Sequence, residues 1–504
     1  MAIHRDIPDP IEYPDPTTSD HITYNPSFEK LKRLSEEFET VTEYGSPSYV
    51  SEYRSRSSKN TKNALDDVFN QDDIEVFQHG LEWVHDSSND IICLDRIVGH
   101  HEATSFVCRL YLPAKYGRIA LSWAKLLEPV SDEHIDFLTV QQPDLTSTPK
   151  IRISPEKGTT TVLGSDYTGE AKKSFLRLFM HQVKQHGGLG LHAGSKRVTL
   201  NDEKGPRDVG QVFLGLSGTG KSTLTSHGLW LEEPEGVEMI QDDVCALLPS
   251  GTVAGSEGGG LYIKTLGLDT NEQPGLYRAA TKDTAVLENV AVDDDGTVDF
   301  DDPRYGRNAR AAIQRSQLEN SAENIDLDFI DQIFFITRNP LMPPISRLST
   351  DQAAVAFMLG ESIETSAGDP SRIGEPIRVV GTNPFIMGDK GEEGNRFRDL
   401  INNLGIDCYV INTGSVGIDE PIDIGVKETV SILESVTRGN IEWTYSAKLG
   451  LTVPSNIPEL DIEAVSVPDR VDDFETAQNE LRENRREFLN EFNSLDEQII
   501  DAIY

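Results

Sequence analysis

The clearest chemical signal in the sequence is the stretch from Gly215 to Ser222, which reads GLSGTGKS and matches the pattern GxxxxGK[ST]. Glycines let backbone N–H groups converge on phosphate oxygens, and a following helix N-terminus adds favourable partial charge. Lys221 can then bridge the terminal phosphates, and the Ser222 hydroxyl can ligate Mg²⁺. A glycine-rich turn with a chance lysine is the alternative. The apolar run 212–214 before the stretch and the helix-compatible STLTSHGL after it favour a nucleotide-phosphate site.

Two adjacent carboxylates, Asp242 and Asp243, end the next apolar run, VEMIQDD. Hard divalent cations prefer oxygen ligands, and a phosphate-loop protein needs an acid on a neighbouring strand to hold its metal. Two aspartates after a strand usually form only a turn. Next to a phosphate loop, metal binding is the favoured interpretation.

These motifs require strands that end at the loops. From residue 206 onward the runs GQVFLGL, VEMIQDD, DQIFFIT and DCYVINT predict a nucleotide-binding α/β core. Before residue 206, runs such as DIICLDRIV and SFVCRLYL alternate with amphipathic stretches and indicate a mixed α/β domain. We therefore predict an N-terminal domain over residues 1–205 and a C-terminal domain over residues 206–504.

Two segments have clear helical spacing. GEAKKSFLRLFMHQVKQHGG is predicted to be a helix that stops at Gly187 and Gly188. The C-terminal stretch is predicted to be a helix or helix pair packed on its own domain. Its apolar residues at multiples of three and four are Phe474, Ala477, Leu481, Phe488, Phe492, Leu495 and Ile499.

The charge balance excludes several classes of protein. The 504 residues include 46 basic and 84 acidic side chains, a formal charge of −38. A protein that binds the phosphate backbone of a nucleic acid needs a basic surface, so no nucleic-acid partner is expected. No run approaches the ~18 apolar residues of a membrane span, and the first residues lack a signal-peptide core. We therefore expect a cytoplasmic protein without a membrane partner.

The acidic residues and the cysteines indicate the solvent environment. Acidic runs such as VDDDGTVDFDD occur along the whole chain, which is typical of a halophilic protein in a salty cytoplasm. The four cysteines, Cys93, Cys108, Cys245 and Cys408, form no CxxC pair. A disulfide scaffold and a structural zinc site are therefore not expected.

In chain order, GLSGTGKST, IQDD, SEGGGLYIKT, AVLENVAVDDDGTVDFDD, MPPISRL and NTG resemble the motifs of the ATP-type phosphoenolpyruvate carboxykinases. The resemblance extends upstream through LGSDYTGEAKKSF and LHAGS, and downstream to YSAKLGLTVPSNIP. It is most specific from residue 163 to residue 349. A general P-loop protein would share only the first two motifs.

The resemblance implies a two-domain α/β fold, with the phosphate loop in the C-terminal domain and the active site in the interdomain cleft. It implies the gluconeogenic conversion of oxaloacetate and ATP to phosphoenolpyruvate, ADP and CO₂. Mg²⁺ would accompany the nucleotide, and Mn²⁺ would bind at the substrate. Domain and lid closure would exclude water.

The resemblance also assigns ligands for the second cation: Lys173 in DYTGEAKK, His192 in LHAGS, and Asp243. A lysine can ligate only as its neutral amine, which demands a cationic, partly desolvated site, whereas an imidazole suits Mn²⁺. Asp242 would order waters around the nucleotide's metal. Without the resemblance, Lys173 would be a helix-surface lysine and His192 a hydrogen-bonded core residue.

Substrate anions are assigned to arginines, whose planar donors fit carboxylate and phosphate groups. Arg310 in GRNARAAI would contact phosphoenolpyruvate and the transferring phosphoryl group. Arg56 in YRSRSSKN would bind the oxaloacetate carboxylate, and Tyr167 would lie beside the substrate. Glu288 would help to organise the cleft. The residues assigned to the nucleotide site are Gly215, Ser217, Gly218, Thr219, Gly220, Lys221, Ser222, Thr223, Glu257, Lys264 and Thr429.

The chain departs from the family pattern at several positions. Gln241 replaces the glycine of GDD, Ser256 replaces an aromatic residue before EGG, and RAAIQ replaces RVSYP. DIGVKETV lacks both arginines expected around the adenine pocket, so the preference for ATP over GTP rests on the overall resemblance. A P-loop kinase with a protein or another metabolite as acceptor, and a non-catalytic nucleotide-binding protein, are the alternatives. The kinase would not need Arg56, Tyr167, Lys173 and His192 together, and the non-catalytic alternative is suggested by the missing adenine-pocket arginines.

Overall fold

The computed structural model describes residues 6–53, 58–130, 134–202, 205–216, 218–271, 273–363, 375–458 and 460–504. Two predicted site residues, Arg56 and Ser217, lie outside these ranges. The chain divides into two compact units. Unit 1 comprises Met1–Gln182 and Ser256–Glu319, and unit 2 comprises Val183–Gly255 and Asn320–Tyr504.

The described residues form helices and strands throughout both units. The helices are α1 (Phe28–Arg33), α2 (Gln71–His85), α3 (Gly117–Leu126), α4 (Thr168–Gln185), α5 (Lys221–Ser226), α6 (Pro274–Ala280), α7 (Thr350–Leu359), α8 (Lys390–Leu404), α9 (Val426–Arg438), α10 (Phe474–Leu489) and α11 (Glu497–Asp501). The strands are β1 (Ile22–Tyr24), β2 (Thr40–Val41), β3 (Pro47–Tyr49), β4 (Thr61–Asn63), β5 (Ile91–Val98), β6 (Phe106–Pro113), β7 (Glu128–Pro129), β8 (Phe137–Gln142), β9 (Lys150–Ser154), β10 (Thr159–Leu163), β11 (Leu189–Leu191), β12 (Ala193–Asp202), β13 (Gly205–Leu214), β14 (Gly236–Gln241), β15 (Cys245–Leu247), β16 (Val253–Gly255), β17 (Gly260–Lys264), β18 (Val286–Glu288), β19 (Ala291–Val292), β20 (Val298–Asp299), β21 (Arg310–Gln314), β22 (Gln332–Thr337), β23 (Ile345–Leu348), β24 (Glu361–Ile363), β25 (Pro376–Arg378), β26 (Asp407–Asn412), β27 (Ser415–Val416), β28 (Ile422–Asp423), β29 (Glu442–Ser446) and β30 (Leu451–Asn456).

Unit 1 is a mixed α/β structure built on two sheets. The larger sheet has the order β1-β5-β6-β8-β10-β9-β4, with β7 beside β5, and the smaller has the order β17-β21-β18-β3-β2. Helix α3 packs against β5 of the larger sheet and against β17 and β21 of the smaller one. Nearly every residue of α3 is buried, because its sequence GRIALSWAKL is apolar on most sides.

Unit 2 is built on one large sheet in the order β14-β12-β13-β22-β26-β23-β30-β29. Its centre, β13, β22 and β26, is parallel. Phe213, Phe334 and Tyr409 occupy one rung of these three strands, and neighbouring rings stack with centroids 5.2 Å apart. Side chains alternate between sheet faces along each strand, so Val212 and Leu214 join the core on the opposite face. The α/β fold class is therefore confirmed.

The two predicted helical segments are helices. Helix α4 ends at Gln185, and Gly187 follows with φ +83°, a left-handed conformation that glycine adopts without strain. Phe474 of α10, Ile499 of α11 and Leu495 between the two helices are buried in the core of unit 2. The four cysteines are buried and unpaired. Within the described ranges, no helix is long and apolar enough to cross a bilayer.

The division into units differs from a single boundary near residue 206. That position lies at the start of β13, which pairs antiparallel with β12 from Ala193↔Leu214 to Asp202↔Gly205. A cut there would separate two strands that share a full ladder of backbone hydrogen bonds. Residues 256–319 also belong to unit 1, because β17, β18 and β21 form a sheet with β2 and β3.

A buried ion cluster joins three distant segments of unit 2. Glu361 Oε1 accepts hydrogen bonds from Arg485 Nη2 and Asn339 Nδ2, each at 2.7 Å, and Oε2 accepts one from Arg378 Nε at 2.9 Å. Burial alone would raise the pKa of Glu361, but the charges of Arg485 and Arg378 outweigh it and lower the pKa to about 2. The cluster stabilises the fold only while Glu361 is ionised.

Replacing Glu361 with glutamine should lower the free energy of unfolding by about 3–5 kcal/mol at pH 7, because the buried Arg485 and the half-buried Arg378 lose their counter-ion. The wild-type advantage should shrink as the pH falls from 4.5 towards 2, since unfolded Glu361 takes up a proton before the folded carboxylate does. Urea unfolding of both proteins at pH 7 and about pH 3.5 measures this difference. Glu238→Gln, which disrupts an exposed pair with Arg197, is the control and should cost less than about 1 kcal/mol. Equal stability of Glu361→Gln and wild type at pH 7 would show that the cluster contributes nothing.

Candidate active site

The glycine-rich loop lies between the end of β13 at Leu214 and the start of α5 at Lys221. Gly218 and Gly220 have φ of +85° and +97°, values that residues with a Cβ rarely adopt. A Cβ on Gly220 would meet none of the described atoms within 4 Å, so glycine is needed there for the backbone conformation. Thr219 fixes the loop internally: its backbone N–H and its hydroxyl both donate to the Leu216 carbonyl, at 3.2 and 2.8 Å.

The loop lies at the same edge of the unit 2 sheet as three of the predicted metal ligands, His192, Asp242 and Asp243. Strand β12 is antiparallel to both β13 and β14, so its first residues lie beside the last residues of its neighbours, as in Ala193↔Leu214 and Ser195↔Gln241. His192 directly precedes β12, and Asp242 directly follows β14. The acidic strand is thus not the immediate neighbour of β13. Strand β12 lies between them, and the residue directly before it is the histidine.

Asp243 contacts both the histidine and the lysine of this edge. Its Oδ1 lies 3.1 Å from His192 Nε2 and 3.5 Å from Lys221 Nζ. The Lys221 side chain is only 10% exposed, whereas Asp243 is 31% exposed. Three residues predicted separately, from the phosphate loop, the aspartate pair and LHAGS, therefore lie in one cluster.

The orientation of His192 is fixed from its other nitrogen. Nδ1 lies 2.7 Å from the carbonyl oxygen of Thr382, and because that oxygen can only accept, Nδ1 is the protonated nitrogen. The Phe385 ring contacts the imidazole edge-on, with centroids 5.7 Å apart. Nε2 is therefore directed towards Asp243, and a hydrogen-bonded Nδ1 is the usual arrangement of a metal-ligating histidine.

The donor chemistry of His192 and Asp243 fits a divalent cation. An imidazole nitrogen and a carboxylate oxygen are ligands that Mn²⁺ accepts. No group of three or more His, Cys, Asp or Glu side chains in the described ranges is arranged to hold a metal ion. Further ligands would have to come from a different residue type, from water or from a bound substrate.

In unit 1, three predicted residues occupy one rung of the smaller sheet. Strand β21 lies between β17 and β18, and Arg310 pairs with Lys264 on one side and with Glu288 on the other. Directly opposite residues of antiparallel strands point to the same face of the sheet. Two cations and one carboxylate are thus adjacent, and both Lys264 and Arg310 are half-buried. Lys264 and Arg310 together can bind an anion.

Glu288 is the centre of a buried hydrogen-bond network. It accepts hydrogen bonds from the Tyr262 hydroxyl, the Ser51 hydroxyl at 3.0 Å and the Thr168 N–H at 3.2 Å. Arg118 lies 3.5 Å from it and also donates to Asp166. Burial and the charge of Glu288 raise the pKa of Tyr262 well above its ordinary value, so this phenol stays a donor. The network holds the rung carboxylate in place.

Tyr167 and Lys173 lie close to each other in unit 1. The Tyr167 hydroxyl donates to Asn308 Oδ1 at 3.2 Å, and its ring is 6.2 Å from the Tyr262 ring. Lys173 Nζ lies 5.3 Å from the Tyr167 ring centroid and 3.3 Å from Glu170 Oε1. Lys173 belongs to unit 1 and His192 and Asp243 to unit 2, so its role as their fellow ligand stays a prediction.

Two further predicted residues, Glu257 and Thr429, are buried and interact with groups of the protein itself. Glu257 is buried and pairs with Lys172 Nζ at 3.0 Å. Thr429 is buried near the start of α9, and its hydroxyl donates to the Gly425 carbonyl at 2.8 Å. The contact of Thr429 with a nucleotide base stays a prediction.

Sequence reasoning missed several residues that position the site. Thr382 and Phe385 contact His192 from a segment 190 residues away, and no motif marks them. Tyr262 lies in SEGGGLYIKT, the motif that contains Glu257 and Lys264, but no role was predicted for it. Arg118 was detectable, because an arginine on the largely apolar side of GRIALSWAKL requires a buried partner.

Comparison with known proteins agrees with the motifs. The sequence model of the family described as phosphoenolpyruvate carboxykinase matches residues 20–463. The chain is 34% identical to phosphoenolpyruvate carboxykinase (ATP) of Aeropyrum pernix over 482 residues, covering 94% of this chain and 95% of the relative. It is 31% identical to the enzyme of the same name from Mesorhizobium japonicum over 59% of this chain and 54% of the relative. Because the similarity extends over nearly the whole chain, a shared phosphate loop alone does not explain it. The protein belongs to the phosphoenolpyruvate carboxykinase family.

Proposed function

We propose that the carboxykinase reaction of this family, in which oxaloacetate and ATP give phosphoenolpyruvate, ADP and CO₂, depends in this chain on the residues described above. The observation that carries the proposal is the position of Asp243, within 3.5 Å of both His192 Nε2 and Lys221 Nζ. A phosphate loop alone serves many kinases. A histidine and an aspartate beside its lysine supply ligands for a cation in addition to the one that accompanies the nucleotide.

The unit 2 residues would bind the triphosphate. The backbone N–H groups of the glycine loop would surround the phosphate oxygens, and the Lys221 ammonium would offset charge on the β- and γ-phosphates. Ser222 and Asp242 would hold the nucleotide's Mg²⁺, since both offer oxygen ligands. His192 and Asp243 would hold Mn²⁺, which accepts a nitrogen ligand more readily than Mg²⁺ does. When bound, these cations polarise phosphoryl and carbonyl oxygens.

The unit 1 residues would bind the organic acid and its product. Arg310 can present two parallel N–H donors to a carboxylate or a phosphate, and Lys264 beside it adds a point charge. Tyr167 would orient the substrate through its ring and hydroxyl. The Glu288 network would keep Arg310 in position on its rung.

The proposal is tested by the nucleotide and metal requirements of the purified protein. Phosphoenolpyruvate should form from oxaloacetate only when a nucleoside triphosphate and a divalent cation are both present. Adding Mn²⁺ at micromolar concentration to millimolar Mg²⁺ should increase the rate, and ATP should be used in preference to GTP. No effect of Mn²⁺ at saturating Mg²⁺ would contradict the second cation site.

We also propose that the protein works in a salt-rich cytoplasm. The support is the formal charge of −38 spread along the chain, together with four buried, unpaired cysteines. Both suit a reducing interior of high ionic strength.

Lowering KCl from 1 M to 0.1 M should therefore reduce both the melting temperature and the activity. The Debye length grows from ~3 Å to ~10 Å over this range, so the carboxylates repel one another over a greater distance. Thermal unfolding and steady-state assays at stepwise KCl concentrations measure the effect. NaCl at matched ionic strength controls for a specific potassium effect. An unchanged melting temperature across the range would contradict the salt-adapted interpretation.

A further inference from the structure

Lys196, on β12 of unit 2, is a buried lysine that the reaction described above does not use. Its side chain is 0% exposed, and Nζ donates a hydrogen bond to the Leu224 carbonyl at 2.7 Å. Nζ also lies 5.0 Å from the Phe213 ring centroid. Within the described ranges no Asp or Glu forms an ion pair with it. A buried cation without a counter-ion is costly, and a methionine would occupy the same space without that cost.

The acceptor of this hydrogen bond belongs to the phosphate-loop helix. Helix α5 runs only from Lys221 to Ser226, so the Leu224 carbonyl lies in its last turn, where carbonyls have no donor within the helix. The negative end of the helix dipole is also there, and it attracts a cation. The Lys196 ammonium therefore donates to the Leu224 carbonyl and is also attracted by the negative end of the helix dipole.

A second contact holds the same end of α5 on the same strand. A Cβ on Gly194 would lie 2.3 Å from Thr225 Oγ1, so the helix packs directly on the β12 backbone. Gly194 and Lys196 are two residues apart and share one face of the strand. A six-residue helix is about 9 Å long, so fixing its last turn also fixes its first turn. That first turn contains Lys221 and Ser222.

We propose that Lys196 is a positioning residue of the phosphate site: from β12 its ammonium holds the last turn of α5 and thereby sets the position of Lys221 and Ser222 towards bound nucleotide phosphates. The inference rests on the proposed nucleotide site, and it adds a group outside the glycine-loop motif on which phosphate affinity depends.

The titration of Lys196 gives the inference a measurable signature. Burial lowers the pKa of Lys196 to about 7. Burial, and then the charge of Lys196, lower the pKa of His227, which directly follows α5. The only titratable residue of α5 itself is Lys221, and the strand partners of Lys196, Gln211 and Met239, do not titrate. Anionic nucleotide should bind more tightly when Lys196 is protonated, so affinity should fall as the pH rises through 7.

The test is calorimetric binding of ADP, with Mg²⁺ present, to the full chain at pH 6.5 and pH 8.5. Lys196→Met should bind ADP about tenfold more weakly at pH 6.5, the effect of losing one hydrogen bond from a charged group. It should also lose most of the pH dependence that the wild type shows. Its melting temperature should not fall, because a buried cation has been removed. Two variants are the controls. Arg197→Met, on the opposite face of β12, should keep the wild-type affinity for ADP. His227→Gln should keep the wild-type pH dependence of ADP binding.

Wild-type affinity and pH dependence in Lys196→Met would overturn the inference, and so would a lower melting temperature with unchanged binding. If Lys196→Met does not fold, proton uptake by the wild type decides the question. Binding enthalpies at pH 7.5 in two buffers of different ionisation enthalpy should then differ, and equal enthalpies would refute the inference. A wild type that binds no ADP would refute the proposed nucleotide site itself, which separates the two failures.

Discussion

Lys221→Ala should lower kcat about 10³-fold while the protein stays folded, because transition-state charge on the β- and γ-phosphates loses its nearest ammonium. Lys221 is largely buried and 3.5 Å from Asp243, so its removal also takes an ammonium away from that carboxylate. Steady-state rates of phosphoenolpyruvate formation at saturating substrates measure the effect, and circular dichroism confirms the fold.

Lys115→Ala is the matched control, since it removes a lysine from an exposed pair with Asp144 and should leave the rate unchanged. A Lys221→Ala rate within about threefold of wild type would contradict the assignment of the phosphate loop.

His192→Gln should separate Mn²⁺ activation from nucleotide binding. The substitution removes the nitrogen ligand, so the Mn²⁺ concentration for half-maximal activation should rise at least about tenfold. The KM for oxaloacetate should rise with it. Mg-ATP affinity should be nearly unchanged, because the proposed ligands of the nucleotide's own cation are the oxygen atoms of Ser222 and Asp242. Mn²⁺ titrations at fixed Mg²⁺, with calorimetric ATP binding in parallel, measure both effects.

The chain offers a closely matched control for this substitution. His134 forms a similar pair with Asp136, with Nε2 3.0 Å from Oδ1, but it is 77% exposed. His134→Gln should leave Mn²⁺ activation at the wild-type value. Unchanged Mn²⁺ dependence in His192→Gln would mean that His192 is a core histidine held by the Thr382 carbonyl.

Local sequence was sufficient wherever one strand and its following loop determine the geometry. The apolar run before Gly215 became β13, and the glycines that need positive φ lie where the pattern places them. The aspartate pair follows β14 as expected. In each case the motif and the element that positions it are contiguous in the chain, so their spacing alone carries the information.

Pairing between distant strands could not be predicted from one sequence. The insertion of β12 between β13 and β14 brings His192 to Asp243, and the rung of Lys264, Arg310 and Glu288 depends on the order β17-β21-β18. The predicted boundary near residue 206 lies at the start of β13, and the pairing of that strand with β12 is a further feature that composition does not indicate.

The family resemblance also named residues that no local rule connects. Tyr167 and Glu288 come from separate segments and contribute to one buried polar region of unit 1, to which the structure adds Tyr262 and Arg118. Each would be a plausible surface or core residue when considered alone.

The most direct test of the central claim follows the γ-phosphate and the carboxylate of the substrates in one reaction. The purified protein is supplied with ATP labelled with ³²P in the γ-phosphate, oxaloacetate labelled with ¹⁴C at its β-carboxylate, Mg²⁺, Mn²⁺ and molar KCl. Labelled phosphoenolpyruvate and labelled CO₂ should appear in a 1:1 ratio, both dependent on ATP and both corrected for spontaneous decarboxylation. Transfer of ³²P to another acceptor, or ATP hydrolysis without CO₂ release, would contradict the account and identify a different phosphoryl transferase on the same fold.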